Sequence, residues 1–404
     1  MSYKETFYFI ARCLTISLEK HNKIHIEKTL QANTIDWDAV VKLSTKQLVF
    51  PALYCNLKRA GFLHYLPTDL VNYMELITGL NRERNQQIIT QATAISTLLL
   101  NHGITPIFLK GTGNLLAGLY TDIAERMVGD IDFILPKEQY TKAITLLRED
   151  GYTDVLKYHY YLPMQRHYRR IKKENNIAAI EIHKELLIEK HTTEFNYDFI
   201  KKDIQIINQI SLLSYANKLN LSIIAKQITD HEFYYKTISL RNSYDVFLLS
   251  KKTNAQQAVN KLNKLKNPLQ CFLAGCYEVF NSPDSLQYVK TRKTAAYVKH
   301  FKKQFTNTKK VRRKRLVIKN YLALKLFLFT LYRCLVYKEY TVWLFYKITD
   351  KNWYKEKFNF LIPKKNLNIF LITQHNLFYL LQCFLLHLLY QKQTSHANTK
   401  DICL

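Results

Sequence analysis

Two stretches decide how this sequence folds: Ile104-Thr-Pro-Ile-Phe-Leu-Lys-Gly-Thr-Gly113 and Val128-Gly-Asp-Ile-Asp-Phe-Ile-Leu135. In the first, the apolar run Ile104 to Leu109 ends in Lys110-Gly111-Thr112-Gly113, and helical spacing resumes in Asn114-Leu-Leu-Ala-Gly-Leu-Tyr120. That succession predicts strand, tight turn, helix. The second stretch predicts another strand, in which Asp130 and Asp132 share one face and Ile131 and Phe133 the other. Tyr140 to Asp150 reads as a helix closed by Gly151, and Ala178 to His183 as a further strand after a basic, tyrosine-rich stretch. An α/β unit is therefore expected over residues 103 to 190.

Helical periodicity flanks this unit on both sides. Upstream, Phe7, Ile10, Ala11 and Leu14, then Leu70, Tyr73, Met74 and Ile77, recur at three and four spacing, with Pro51 and Pro67 placed as helix starts. Downstream, helices are expected from about Leu212 toward Phe280, including Leu240-Arg-Asn-Ser-Tyr-Asp-Val-Phe-Leu-Leu249. The run Lys302 to Lys319 holds nine Lys or Arg and marks a domain boundary in this reading.

The 404 residues carry 59 Lys and Arg against 32 Asp and Glu, a net charge of +27. The imbalance is local: from Lys251 to Leu404 there are 29 basic and 6 acidic residues, which leaves 30 and 26 for the rest. Such a C-terminal region suits an anionic partner, RNA or a membrane surface, and equally a solvated basic face. Asn366 to Tyr390 has no charged side chain, yet its Asn, Gln and His content favours a buried or interfacial helix over a membrane span. Tyr321 to Val336, interrupted by Lys325 and Arg333, reads as amphipathic. The seven cysteines are scattered and contain no Cys-x-x-Cys pair, which argues against a disulfide partner or a zinc ribbon and for a reducing cytoplasm. No zinc site is expected from His159, His167 or His191.

Residues two apart on a strand are separated by about 6.6 Å, close enough for both carboxylates to reach one divalent cation or a pair about 3.5 to 4 Å apart. The turn before the helix offers backbone N–H groups and a positive helix end to a phosphate. Its spacing does not meet the P-loop pattern. In Ile180-Glu181-Ile182-His183 the same alternation puts Glu181 and His183 on one face, which makes Glu181 a candidate third carboxylate.

Leu109-Lys110-Gly111, Arg126 followed by Gly129-Asp130-Ile131-Asp132, and Glu181-Ile182-His183 together resemble a family of uncharacterised nucleotidyltransferases, often labelled family five, within the polymerase beta-like superfamily. The resemblance covers roughly residues 35 to 250, with weaker similarity at Asp36-Trp-Asp-Ala-Val-Val and at Leu240, Arg241 and Asp245. Two positions depart from the superfamily pattern. Gly111-Thr112 stands where Gly-Gly or Gly-Ser is usual, and Glu181 where Asp is commoner.

The resemblance implies an α+β fold, a small mixed-sheet nucleotidyltransferase core flanked by N- and C-terminal helical regions. The expected divisions are 1–100 helical, 101–190 the core, 191–300 helical, and 301–404 basic, aromatic-rich and helical. It also implies transfer of a nucleoside monophosphate from a nucleoside triphosphate such as ATP to a hydroxyl acceptor. Asp130, Asp132 and Glu181 would be catalytic and would hold two Mg²⁺ ions. Lys110, Gly111, Thr112, Gly113 and Arg126 would bind the nucleotide, with Arg126 alternatively paired to Asp122 or Glu125, and His183 would touch substrate. The protein is expected in the cytoplasm, with membrane association through the basic region. The competing expectation is an inactive nucleotidyltransferase fold that serves as a membrane-surface or RNA-binding module, and a third is a toxin-like transferase that modifies RNA or protein.

Overall fold

A computed structural model describes residues 1–156, 161–187, 191–306 and 308–349. The expectation for Asn366–Tyr390 lies outside these residues, as does His159. The chain divides into two compact units. The first comprises residues 1–155 and 166–316, and the second comprises 156–165 with the chain from 317 onward.

The first unit begins with helices α1 (Tyr3–Cys13), α2 (Lys20–Gln31), α3 (Trp37–Lys46), α4 (Phe50–Ala60) and α5 (Thr68–Leu100). Local chemistry fixes their ends. Ser2 and Glu5 form a reciprocal capping box on α1, and Pro51 opens α4, which stops at left-handed Gly61. Buried amides on α5 then hold the chain that leads into the site. Asn85 Nδ2 donates to the carbonyls of Ile123 (2.6 Å) and Arg126 (2.7 Å), and Gln91 bonds both backbone polar groups of Ala178 (3.0 and 3.2 Å). These are positions where an apolar side chain would leave buried backbone unpaired.

A mixed seven-stranded sheet follows, built from β1 (Ile107–Phe108), β2 (Asp130–Ile134), β3 (Thr153–Asp154), β4 (Ile171–Lys172), β5 (Ala179–His183), β6 (Ile204–Ile207) and β7 (Ile210–Leu213). Its order is β3-β4-β5-β2-β1-β7-β6. Helices α6 (Lys110–Leu116) and α7 (Tyr140–Glu149) lie between its strands in sequence. The fold is thus α+β with flanking helices.

Two differences from the sequence reading have simple causes. Helix α6 already starts at Lys110, so Lys-Gly-Thr-Gly is its first turn and not a loop before it. The sheet also runs past residue 190, because Asn208 and Gln209 both adopt positive φ (49° and 64°) and close a two-residue hairpin that puts β7 beside β1.

Helix α8 (Tyr197–Ile200) lies between β5 and β6, and after the sheet come α9 (Tyr215–Ile224), α10 (Glu232–Tyr235), α11 (Leu240–Ser250), α12 (Ala255–Asn260), α13 (Lys266–Val279) and α14 (Arg292–Lys303). Helix α15 (Thr308–Val336) passes into the second unit, where α16 (Lys338–Thr349) follows. The later part of α15 exposes Leu324, Leu326, Phe327, Leu328 and Phe329. Among the described residues no helix is long and apolar enough to cross a membrane, and Cys13, Cys55, Cys271, Cys276 and Cys334 are buried free thiols.

Candidate active site

Strands β2 and β5 pair in parallel with Asp132 directly opposite Glu181. Like charges facing each other across a ladder destabilise a sheet unless something neutralises them. Here two cations do so. Lys110 Nζ lies 2.6 Å from Asp132 Oδ1 and 3.6 Å from Glu181 Oε2. Arg170 pairs with Asp130 and reaches Glu181 at 3.9 Å. Lys110 takes φ of 50°, a left-handed backbone unusual for a lysine, at the residue that opens α6. Backbone outliers of this kind concentrate at functional sites.

The two carboxylates respond to this field in opposite directions. Burial pushes Asp132 up, but the Lys110 ammonium and the His183 imidazole outweigh it and hold the group below the usual carboxylate range. Glu181 is pushed up to about 7, first by burial and then by the Asp132 charge. The cluster therefore remains short of positive charge even with both cations in place.

Burial pushes His183 down to about 4, so the ring is neutral at neutral pH. Its Nε2 lies 2.9 Å from Asp132 Oδ1. An ionised carboxylate only accepts hydrogen bonds, so Nε2 carries the hydrogen and Nδ1 is the bare nitrogen, which has no partner. His183 is 1% exposed and aims Asp132. The neighbouring His167 ring stands 5.2 Å away, centroid to centroid.

Ligand atoms of Asp132, Glu181 and His183 all lie within 4.8 Å of one another, a spacing that could hold a metal ion. Two hard oxygen donors in an undercompensated pocket suit a divalent cation. Asp130 shares their face but turns its carboxylate to Arg170.

The other expected residues are placed as follows. Gly113 packs rather than opens a cradle: a Cβ there would stand 2.7 Å from the Phe108 carbonyl oxygen. Its N–H already donates to Leu109 O at 2.9 Å, so the free helix donors are those of Lys110, Gly111 and Thr112. The Thr112 hydroxyl is buried and donates to Asp130 O at 2.9 Å. Arg126 is buried against Asp245 at 3.0 Å, not against Asp122 or Glu125, which pair with Arg82 and Arg59. Arg170 escaped the sequence reading. Its signal was faint: it lies just before Ile171, whose antiparallel partner Ile180 just precedes Glu181.

The start of α6 thus lies beside the Asp130-Ile-Asp132 strand, with Glu181 on the parallel neighbour. Residues 33–279, more than half of the chain, match the family model described as uncharacterised nucleotidyltransferase, and the chain belongs to that family. No curated protein and no solved structure matches the chain.

Proposed function

We propose that the chain is an enzyme that moves a nucleoside monophosphate from a nucleoside triphosphate to a hydroxyl acceptor. The observation that carries this reading is the placement of Asp132 opposite Glu181, with Asp130 on the same face, at the start of α6. In the reaction the acceptor oxygen bonds to the α-phosphorus and the bond from that phosphorus to the α,β-bridging oxygen breaks. The bridging electron pair leaves with pyrophosphate, and the acceptor proton passes to solvent.

Asp130, Asp132 and Glu181 are the catalytic carboxylates of this proposal and would hold the metal, two Mg²⁺ ions in our reading. When bound, divalent ions supply charge neutralisation at the phosphates and a lowered pKa for the attacking hydroxyl. The chain's own groups prepare the site. Lys110 spans both facing carboxylates and brings an ammonium to the place where phosphate charge arrives. The free first-turn N–H groups of Lys110, Gly111 and Thr112 face the same end of α6 and favour an anion there. His183 fixes the Asp132 carboxylate through its Nε2–H, and Arg126 braces the backbone by donating to Met127 O at 2.8 Å.

The test is incubation of the full chain with α-labelled nucleoside triphosphates, Mg²⁺ and a cell extract as acceptor source. Labelling is expected with the wild type and lost in Asp130→Ala and Asp132→Ala. Undiminished labelling in these variants would overturn the site.

A further inference from the structure

Lys110 also lines a cavity of about 190 Å³, whose other charged walls are Arg126, Arg166, Lys226, Arg241, Asp230 and Asp245. Three of its five cations are already matched. Arg126 pairs with Asp245 at 3.0 Å, Lys226 with Asp230 at 2.6 Å, and Lys110 with Asp132 at 2.6 Å. The remaining two have neutral partners only. Arg166 Nη1 donates to Leu186 O (3.2 Å) and to Thr229 Oγ1 (3.3 Å). Arg241 Nη1 reaches Met127 O at 3.5 Å, and its Nε is buried with no partner.

A half-buried guanidinium with no carboxylate in ion-pair contact is costly, and two facing one cavity, with Asp245 and Asp230 already taken by Arg126 and Lys226, suit an anion from outside. Burial, then the Arg126 charge, pulls Arg241 down to about 10, which records the same strain. The wall between the two arginines is itself irregular. Helix α9 continues into a π-helical turn, Ala225–Thr229, closed by Asp230 N–H to Ala225 O at 3.1 Å. Such turns are rare and frequent at functional sites. This one carries Lys226 and the hydroxyl that orients Arg166.

We propose that this cavity takes the β- and γ-phosphates of the nucleotide between Arg166 and Arg241 and holds pyrophosphate after transfer. The naming of the phosphates rests on the proposed transfer reaction. The anion site itself stands on the cavity. Its volume equals about six waters, small for a base with its sugar and suited to a compact polyanion. Guanidinium forks match phosphate oxygens in pairs. Lys110 belongs both to the cavity and to the carboxylate cluster, so a tail in the cavity is continuous with an α-phosphate at Asp132.

Calorimetric titration of the full chain with inorganic pyrophosphate and Mg²⁺ tests this. Wild type is expected to bind. Arg166→Gln and Arg241→Gln should each weaken binding roughly ten- to a hundredfold, the loss of a charge-assisted pair. Thermal unfolding without ligand shows which variants fold, and either variant suffices if the other does not. A nucleoside triphosphate should displace the pyrophosphate completely. Wild-type affinity in the folded variants overturns the proposal, as does a triphosphate that binds alongside pyrophosphate, which would assign the cavity to a phosphate on the acceptor. Pyrophosphate binding requires no transfer, so arginine-dependent binding by a chain that transfers nothing supports the cavity while sinking the enzymatic reading. Transfer with an unchanged triphosphate KM in both variants does the reverse.

Discussion

Two charged clusters sit side by side in the first unit, and they are finished differently. The donors of Arg126 and Arg59 and the hydroxyls of Tyr120 and Tyr244 each find a carboxylate. Asp245 takes the Arg126 guanidinium at 3.0 Å and the Tyr120 hydroxyl at 2.8 Å, while Glu125 takes Arg59 at 2.6 Å and the Tyr244 hydroxyl at 2.5 Å. Around Asp132 the sum does not close. Three carboxylates share Lys110 and Arg170, Glu181 is driven up to about 7 first by burial and then by Asp132, and His183 keeps a bare Nδ1. A network satisfied by its own side chains holds the fold together, whereas one left short of charge is prepared for something that arrives from outside.

The sharpest way to break this contrast is to remove one member of the closed network. Asp245→Ala leaves a buried guanidinium unpaired and should cost about 3–5 kcal/mol of stability, read by urea unfolding. A loss under ~1 kcal/mol would show that water or rearrangement satisfies Arg126, and the distinction between the clusters would fall. In the open cluster the prediction runs the other way. Glu181→Gln should lower transfer by about 10³-fold, the order expected when several kcal/mol of charge stabilisation is lost. The same variant at pH 8 should be at least as stable as wild type, since the substitution removes a like charge opposite Asp132. A variant that is both less stable and fully active would place Glu181 in the scaffold.

A pH series sharpens the comparison further. Glu181 ordinarily ionises near 4.5 and here near 7, so the folded chain holds its proton more tightly than the unfolded chain does. The stability linked to that proton is present below pH 4.5 and is lost as pH rises through about 7. Half-buried Glu232, also pushed up to about 7 chiefly by desolvation, titrates over the same range. The diagnostic quantity is therefore the difference between wild type and Glu181→Gln. Melting temperatures at pH 5 and pH 8 should fall more for wild type without Mg²⁺, and added Mg²⁺ should shrink the gap. Parallel curves would show that Glu181 is solvated.

Only one side of this contrast, the residues of the open cluster, was legible before the structure. Alternation in Asp130-Ile-Asp and Glu181-Ile-His told which side chains share a face, because a strand's period is local. Local pattern could not tell that β5 lies beside β2 in the register that opposes Asp132 to Glu181, which depends on pairing across about fifty residues of chain. For the same reason Arg126 looked free for a phosphate or for nearby Asp122, when its partner Asp245 lies on a helix far along the sequence. The hairpin at Asn208-Gln209 was missed for a different cause. Two positive-φ residues without glycine give a weak turn signal, although the flanking Ile-Gln-Ile-Ile and Ile-Ser-Leu-Leu already suited strands.

The smallest expected effects separate the two glycine positions that frame the site. At Gly113 an added Cβ would meet the Phe108 carbonyl at 2.7 Å, and that carbonyl belongs to β1 in the middle of the sheet, so it has little room to move. Gly113→Ala should therefore cost about 1–3 kcal/mol, as overpacking does. At Gly129, beside Asp130, a Cβ would meet nothing within 4 Å. Gly129→Ala should change stability by less than ~0.5 kcal/mol in the same urea series. If the open space above Gly129 is where the nucleotide approaches, this variant should nonetheless raise the triphosphate KM severalfold with kcat nearly unchanged, the pattern of lost ground-state binding. An unchanged KM would place the nucleotide away from Gly129 and leave the start of α6 as its sole contact on that side.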